Sequence, residues 1–337
     1  MRRALVIGAG LAGLTCARLL DRHGWDVEVR GPSPPPVPAL VLSEPTCLLL
    51  RDVWQIDAGL FAGAQPLAGR AVRWGAESTV STISDPAVAI SGELLTRRLL
   101  AHLQRVTQVR VCIDHTEHAG VTWGLSMGSP SGRGCDWRVV ATGRAAPPTE
   151  IVGEARCLTL GERHVVATEV RIASSADRRV CWIETASEGW VFLVPAGGDL
   201  GLVQVMVPRR PADPDATLAR LLTQSVHVGS RLQAVAQPAM LFRASPQLLE
   251  PVCGEGWIAV GEAAVAFDPL SGDGAGCAVR FSQRPSWRVS PRVFHETMHS
   301  ITTSSGSGGP LPPTSGPAVP TTRAGSARLL GRTSSGL

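Results

Sequence analysis

Three glycines near the start of the chain have the spacing that lets a backbone grip phosphate. In Ala4-Leu5-Val6-Ile7-Gly8-Ala9-Gly10-Leu11-Ala12-Gly13-Leu14 an apolar run meets a glycine turn and then a helical pattern. Gly8 permits a tight turn, Gly10 lets a pyrophosphate approach the backbone, and Gly13 lets a helix pack closely on the preceding strand. The free N–H groups and positive dipole end of that helix favour an anion. A second stretch puts Glu262 at the end of another apolar run, Gly256 to Gly261. It continues through Asp268-Pro269-Leu270-Ser271-Gly272-Asp273-Gly274. A carboxylate at a strand end beside a glycine turn can hold sugar-like hydroxyls. Amides of a helix opening at Gly274 can stabilise negative charge on a ring.

These residues need strands and helices to carry them. The spacing predicts a strand over 4–7, a helix continuing from Thr15 to His23 with Gly24 as its stop, and a second strand over 26–29. Met1-Arg2-Arg3 before an apolar run has the look of a secretory signal. The glycines at fingerprint spacing and the charged amphipathic helix that follows argue against one. A dinucleotide fold places an acid for the adenosine ribose near position 31, and here Gly31 stands there. Further on, the pattern predicts a short helix over 46–56 with Leu48, Leu49 and Trp54 as packing residues. It also predicts strand-like runs over 70–82, a helix over 93–103 with Leu94, Leu95, Leu99 and Leu103 on one side, and a strand over 108–113. Residues 137–140 read as a strand ending in the small-residue turn Ala141-Thr142-Gly143, where a cofactor can reach the backbone. Alternation from Val165 to Pro208 predicts antiparallel strands over 180–184, 190–194 and 202–207, then a short helix over 215–222. That block is read as a sheet covering the reactive end of a cofactor.

Composition bounds the function. The chain has 337 residues, 44% hydrophobic and 18% charged, enough for one large or two ordinary packed domains. A net charge of +4 with no arginine cluster interleaved with aromatics gives nucleic-acid binding no support. No apolar run is long enough to span a bilayer. Eight cysteines without C-x-x-C fit free thiols, so a cytoplasmic location is expected. The chain contains no Lys, no Asn and no Tyr, which points to GC-rich codons and makes every basic side chain other than His an Arg. His115 and His118 form an H-x-x-H pair with no third ligand spaced nearby. His295-Glu296-Thr297-Met298-His299 matches H-E-x-x-H but sits among Ser, Gly and Pro rather than in a stable helix. No metal site is expected.

Together the three stretches resemble the FAD-dependent oxidoreductases of the aromatic-hydroxylase superfamily. The resemblance implies an α/β fold, with a doubly wound Rossmann-type FAD-binding domain and a β-sheet substrate domain. It implies FAD contacts from Gly8, Gly10, Gly13 and Gly143. Gly261-Glu262 stands for the family's Gly-Asp pair at the ribityl chain and pyrophosphate, and Asp is expected to serve there as well. Asp268, Pro269, Gly272 and Gly274 stand for the loop beside the flavin pyrimidine ring. Within the superfamily, Leu42 to Trp54, Arg70 to Trp74 and Asp268-Pro269-Leu270 look most like the halogenase-like branch. That branch includes maturation flavoproteins that oxidise a protein tryptophan to make quinone cofactors. Gly189-Trp190-Val191-Phe192-Leu193-Val194-Pro195 resembles the halogenase G-W-x-W-x-I-P motif, which would put Trp190 and Phe192 on the substrate side. Halogenases of this kind use an active-site Lys, and this chain has none. The family's Ser-Arg at the start of the helix near 93 is Ser91-Gly92 here.

The resemblance therefore implies FAD-dependent oxidation, with NAD(P)H as reductant. The reaction expected is monooxygenation of an aromatic substrate, either a small molecule or a tryptophan of a partner protein. No catalytic base stands out. Isoprenoid reductases and cyclases share the three motifs, and an inactive flavin-binding remnant is the rival reading. The FAD-binding part is expected over 1–48, 88–150 and 250–285, and the substrate part over 49–87 and 151–249. From 286 to 337 the chain is rich in Ser, Gly, Pro, Thr and Arg without periodicity. It is read as a disordered tail, such as a frameshift near position 281 would produce.

Overall fold

The structure, a computed structural model, describes residues 1–33, 37–56, 59–75, 79–114, 134–235 and 238–283. His115, His118, the H-E-x-x-H stretch and the tail from 284 lie outside the described residues.

The chain opens with β1 (Arg3–Ile7), α1 (Leu11–Arg22) and β2 (Asp26–Pro32). Helix α1 closes as expected: the Gly24 N–H donates to the Asp21 carbonyl at φ +76°, a conformation open to glycine without cost. Next come β3 (Leu40–Ser43), α2 (Glu44–Trp54), β4 (Gln65–Arg73), β5 (Ser81–Ile90), α3 (Gly92–Val106), β6 (Arg110–Asp114) and β7 (Trp137–Val140). Helix α2 buries Thr46, Cys47, Leu50, Val53 and Trp54, which share one face at i, i+3, i+4 and i+7. Leu48 falls outside that face and is exposed, contrary to the sequence reading, while Leu49 packs at the core's edge.

The middle of the chain contributes α4 (Thr149–Val152), β8 (Arg156–Thr159), β9 (His164–Ile172), β10 (Val180–Ala186), β11 (Gly189–Gly197), β12 (Leu200–Val207), α5 (Pro214–Gln224), β13 (Leu232–Val235), β14 (Met240–Arg243) and β15 (Gln247–Glu250). The described part ends with β16 (Cys253–Gly254), β17 (Trp257–Ala259), β18 (Val265–Ala266) and α6 (Gly274–Gln283).

Three sheets result. The first, ordered β16-β17-β7-β1-β2-β6, is parallel except for β16. Its core packs against α1, α2, α3 and α6 through Leu14, Leu20, Leu50, Leu95, Leu99, Leu103 and Val279. The second is nine-stranded, ordered β13-β9-β12-β11-β10-β4-β5-β3 with β14 also on β9. The predicted antiparallel meander is there, but β10 pairs with β4 in parallel, a long-range pairing that local alternation cannot reveal. Its two faces follow the period-2 rule along β11: Trp190, Phe192 and Val194 join one core, Val191 and Leu193 the other, beneath α5. The third sheet, β18-β15-β8, is small. No described helix is long and apolar enough to cross a membrane.

Candidate functional site

The site is set by topology. From β1 the chain runs outward through β2 to β6, then returns to place β7 on the other side of β1. The strand order reverses between β1 and β7, and in open α/β sheets ligands bind outside the strand ends at such a point. Two of the predicted turns flank this crevice: Gly8 follows β1, and Ala141-Thr142-Gly143 follows β7.

The three fingerprint glycines divide by what surrounds them. A Cβ on Gly8 would lie 2.1 Å from the Ala141 carbonyl oxygen, and φ there is +118°. A Cβ on Gly13 would lie 1.9 Å from the Gly8 carbonyl oxygen. Both are required by packing of the turn. Gly10 is different: a Cβ would meet nothing within 4 Å, and its backbone is extended at φ −77°. Gly10 starts α1 without a side-chain cap or an acid in the first turn, leaving the first N–H groups for solvent or an anion. Gly31 packs on the same turn, where a Cβ would stand 3.2 Å from the Gly8 Cα. The acid expected there has no room unless Gly8 shifts, so β2 brings no carboxylate to the turn at that position.

The Gly261-Glu262 turn comes to the same place. A Cβ on Gly261 would be 2.7 Å from the Ala12 side chain of α1, at φ +59°. Glu262 points at the head of α6, its Oε1 lying 3.7 Å from where a Gly274 Cβ would be. Helix α6 is locked to α1 by the buried Ser282, whose hydroxyl donates to the Ala12 carbonyl at 3.0 Å. Val279 and Ala278 are buried with it, firmer anchorage than the helix's few apolar residues imply.

The loop between them is fastened by arginines. Arg144 donates to Glu262 Oε1 at 3.1 Å and to the Phe267 carbonyl. Arg163 pairs with Asp268, and Asp268 Oδ1 accepts from the Leu270 N–H at 2.9 Å. Pro269 begins a single turn closed by Gly272 at φ +64°. Arg70, paired with Asp85 at 2.9 Å, reaches the Ser271 carbonyl at 3.4 Å. Leu270 packs against the face of the nine-stranded sheet that holds Trp190 and Phe192. Those two rings meet edge to face at 6.5 Å, both buried, and thus form the packed wall behind the loop. Ser91 caps α3 through the Leu94 N–H, and a Cβ at Gly92 would crowd Val37 at 3.0 Å.

A buried carboxylate that sequence reading missed lies elsewhere. Glu184, on β10, accepts from the Ser225 hydroxyl at 2.6 Å and from the N–H groups of Val226, His227 and Val228. Burial pushes its pKa up, but the Ser225 hydroxyl and these N–H groups outweigh it and hold the carboxyl below its ordinary value. Its signal was an acid interrupting an apolar strand, Cys181 to Thr185. Among the described residues no group of three or more His, Cys, Asp or Glu could hold a metal ion.

No family model matches the chain, and no curated protein matches it in sequence. Solved structures do match. One is the peptidyl tryptophan dihydroxylase QhpG, essential for tryptophylquinone cofactor biogenesis, at TM-score 0.65 and 22% identity over 90% of this chain and 69% of that one. Another is CmlS, a flavin-dependent halogenase, at TM-score 0.70 and 18% identity over 90% of this chain and 63% of that one. A third is 2-methyl-3-hydroxypyridine-5-carboxylic acid oxygenase, at TM-score 0.63 and 17% identity over 90% and 88%. The fold is thus the one shared by flavin-dependent halogenases and aromatic hydroxylases, as the sequence motifs led us to expect. The chain spans about two thirds of the length of the first two.

Proposed function

We propose that the chain binds FAD in the crevice between β1 and β7 and oxidises an aromatic substrate by monooxygenation. The observation that carries this reading is the division of the glycines. Gly8 and Gly13 are closed in by backbone, while Gly10 faces open space at an uncapped helix start, room into which a side chain would project. The residues present fit the cofactor. Gly10 and the first amides of α1 would hold the pyrophosphate. Gly143 would leave the backbone beside it bare, and Glu262 would take the ribityl–pyrophosphate region. The loop carrying Asp268, Pro269 and Gly272, with the head of α6 at Gly274, would face the ring. When bound, FAD supplies the redox and oxygen chemistry.

The protein's part is to bind, orient and shield. The six-stranded sheet would carry the ADP half, and the nine-stranded sheet would wall the reactive end through Trp190, Phe192 and Leu270. NAD(P)H is the proposed reductant. The substrate class is aromatic; the fold likeness to an enzyme of peptidyl tryptophan favours a tryptophan in a partner protein. The test is to release and identify any flavin from purified protein by chromatography. NAD(P)H consumption is then followed with tryptophan peptides and with free aromatic acids. FAD in the eluate and peptide-stimulated consumption are expected. A flavin-free protein that cannot be reconstituted would overturn the reading.

A further inference from the structure

Arg144 joins three segments. It stands one residue beyond Gly143, at the mouth of the crevice, and uses all three guanidinium nitrogens. Nε donates to Glu262 Oε1 at 3.1 Å, Nη1 to the Ser245 carbonyl at 2.9 Å, and Nη2 to the Phe267 carbonyl. Two of the three acceptors are backbone atoms on different segments, one before β15 and one opening the 268–272 loop. A planar fork held by two backbone carbonyls has little freedom left, so the third partner must follow it. That partner is the carboxylate proposed above to meet the cofactor. The side chain of Arg144 is 18% exposed and that of Glu262 35%, so the guanidinium is packed while the carboxylate can still be reached by a ligand. Among the described residues Glu262 has no ion pair other than Arg144, and it is Oε1 alone that Arg144 takes.

We infer that Arg144 is a positioning residue: it aims the Glu262 carboxylate, and the pair, rather than Glu262 alone, sets flavin affinity. This rests on the FAD reading above.

The test is a double-mutant cycle read by flavin binding, not turnover. Apo-protein is titrated with FAD and with riboflavin, following flavin fluorescence, for wild type, Arg144→Gln, Glu262→Gln and the double variant. Each single change should weaken FAD by about tenfold or more, as expected for a lost charge-assisted hydrogen bond. The double variant should be no worse than the poorer single one, and Arg144→Lys should recover affinity only while Glu262 is present. Additive losses, or Arg144→Gln binding as wild type does, would overturn the inference while leaving FAD binding intact. A wild type that binds no flavin would instead overturn the FAD reading, and the inference with it. Should Arg144→Gln not fold, the cycle is run with Arg144→Met, which keeps the packed stem but offers Glu262 no donor, and the same criterion of non-additivity applies.

Discussion

Gly13 stands directly over the carbonyl oxygen of Gly8: a Cβ at 13 would sit 1.9 Å from it. That contact presses α1 onto the end of β1 and fixes where the first helical amides point. Gly13→Ala and Gly8→Ala must therefore move backbone, not a flexible side chain. Each should destabilise the protein by about 1–3 kcal/mol, the cost of overpacking, and flavin binding should fall together with stability. Urea unfolding of apo-protein checks this. Unchanged midpoints would mean the turn is looser than described.

Glu184 gives a pH-dependent prediction. Its carboxyl is held below its ordinary value of 4.5 by Ser225 and three backbone N–H groups, in spite of burial. A group whose pKa is lower folded than unfolded contributes stability that is complete above the unfolded value and lost as pH falls toward the folded one. Glu184→Gln keeps the shape but not the charge. It should cost about 1–3 kcal/mol near neutral pH. The gap to wild type should narrow as pH drops below about 4.5, where the wild-type carboxyl takes up its proton. Chemical denaturation at several pH values measures it; a gap that stays constant would show that the charge is not what holds residues 225–228.

The first half of the site was legible in the sequence, and particular residues show why. Gly8, Gly10 and Gly13 lie within six residues of one another, so strand, turn and helix are all local; the strand read over 4–7 and the helix read to His23 stand at Arg3–Ile7 and Leu11–Arg22, one residue off at the outer ends. Glu262 and the 268–274 loop were legible for the same reason. Arg144 was not assigned a role: its three partners lie about 100 or more residues away in sequence, and only the return of β7 beside β1 brings them together. Glu184 was missed likewise, since its partners come from the turn after α5. The parallel β4–β10 pairing joins strands more than 100 residues apart, which no periodicity encodes. Leu48 was misplaced because three consecutive leucines, 48 to 50, do not say which of them faces inward; the faces of Thr46, Val53 and Trp54 decide it.

The absence of Lys bears on chemistry. The halogenase-like resemblance implies a lysine that directs hypohalous acid, and this chain has none to offer. Supplied with reduced flavin, oxygen and bromide or chloride, the protein should leave free and peptide-bound tryptophan unhalogenated. Oxygenated products are the expected additions to mass. Detection of a halogenated tryptophan above a no-enzyme control by mass spectrometry would contradict the account.

Gly10 offers the most direct test of the central claim, that this crevice binds FAD. A Cβ there meets no protein atom within 4 Å, and the extended backbone suits any residue. Gly10→Val should therefore fold; as a poorer helix cap than Gly it should lose no more than about 1 kcal/mol. Its branched side chain would nonetheless stand where the pyrophosphate must come. The measurement is a titration of wild-type and Gly10→Val apo-protein with FAD, beside thermal unfolding of both. The account predicts that wild type binds, that the variant melts close to wild type, and that its FAD affinity is weaker by about tenfold or more. Equal affinity in the two proteins would contradict it.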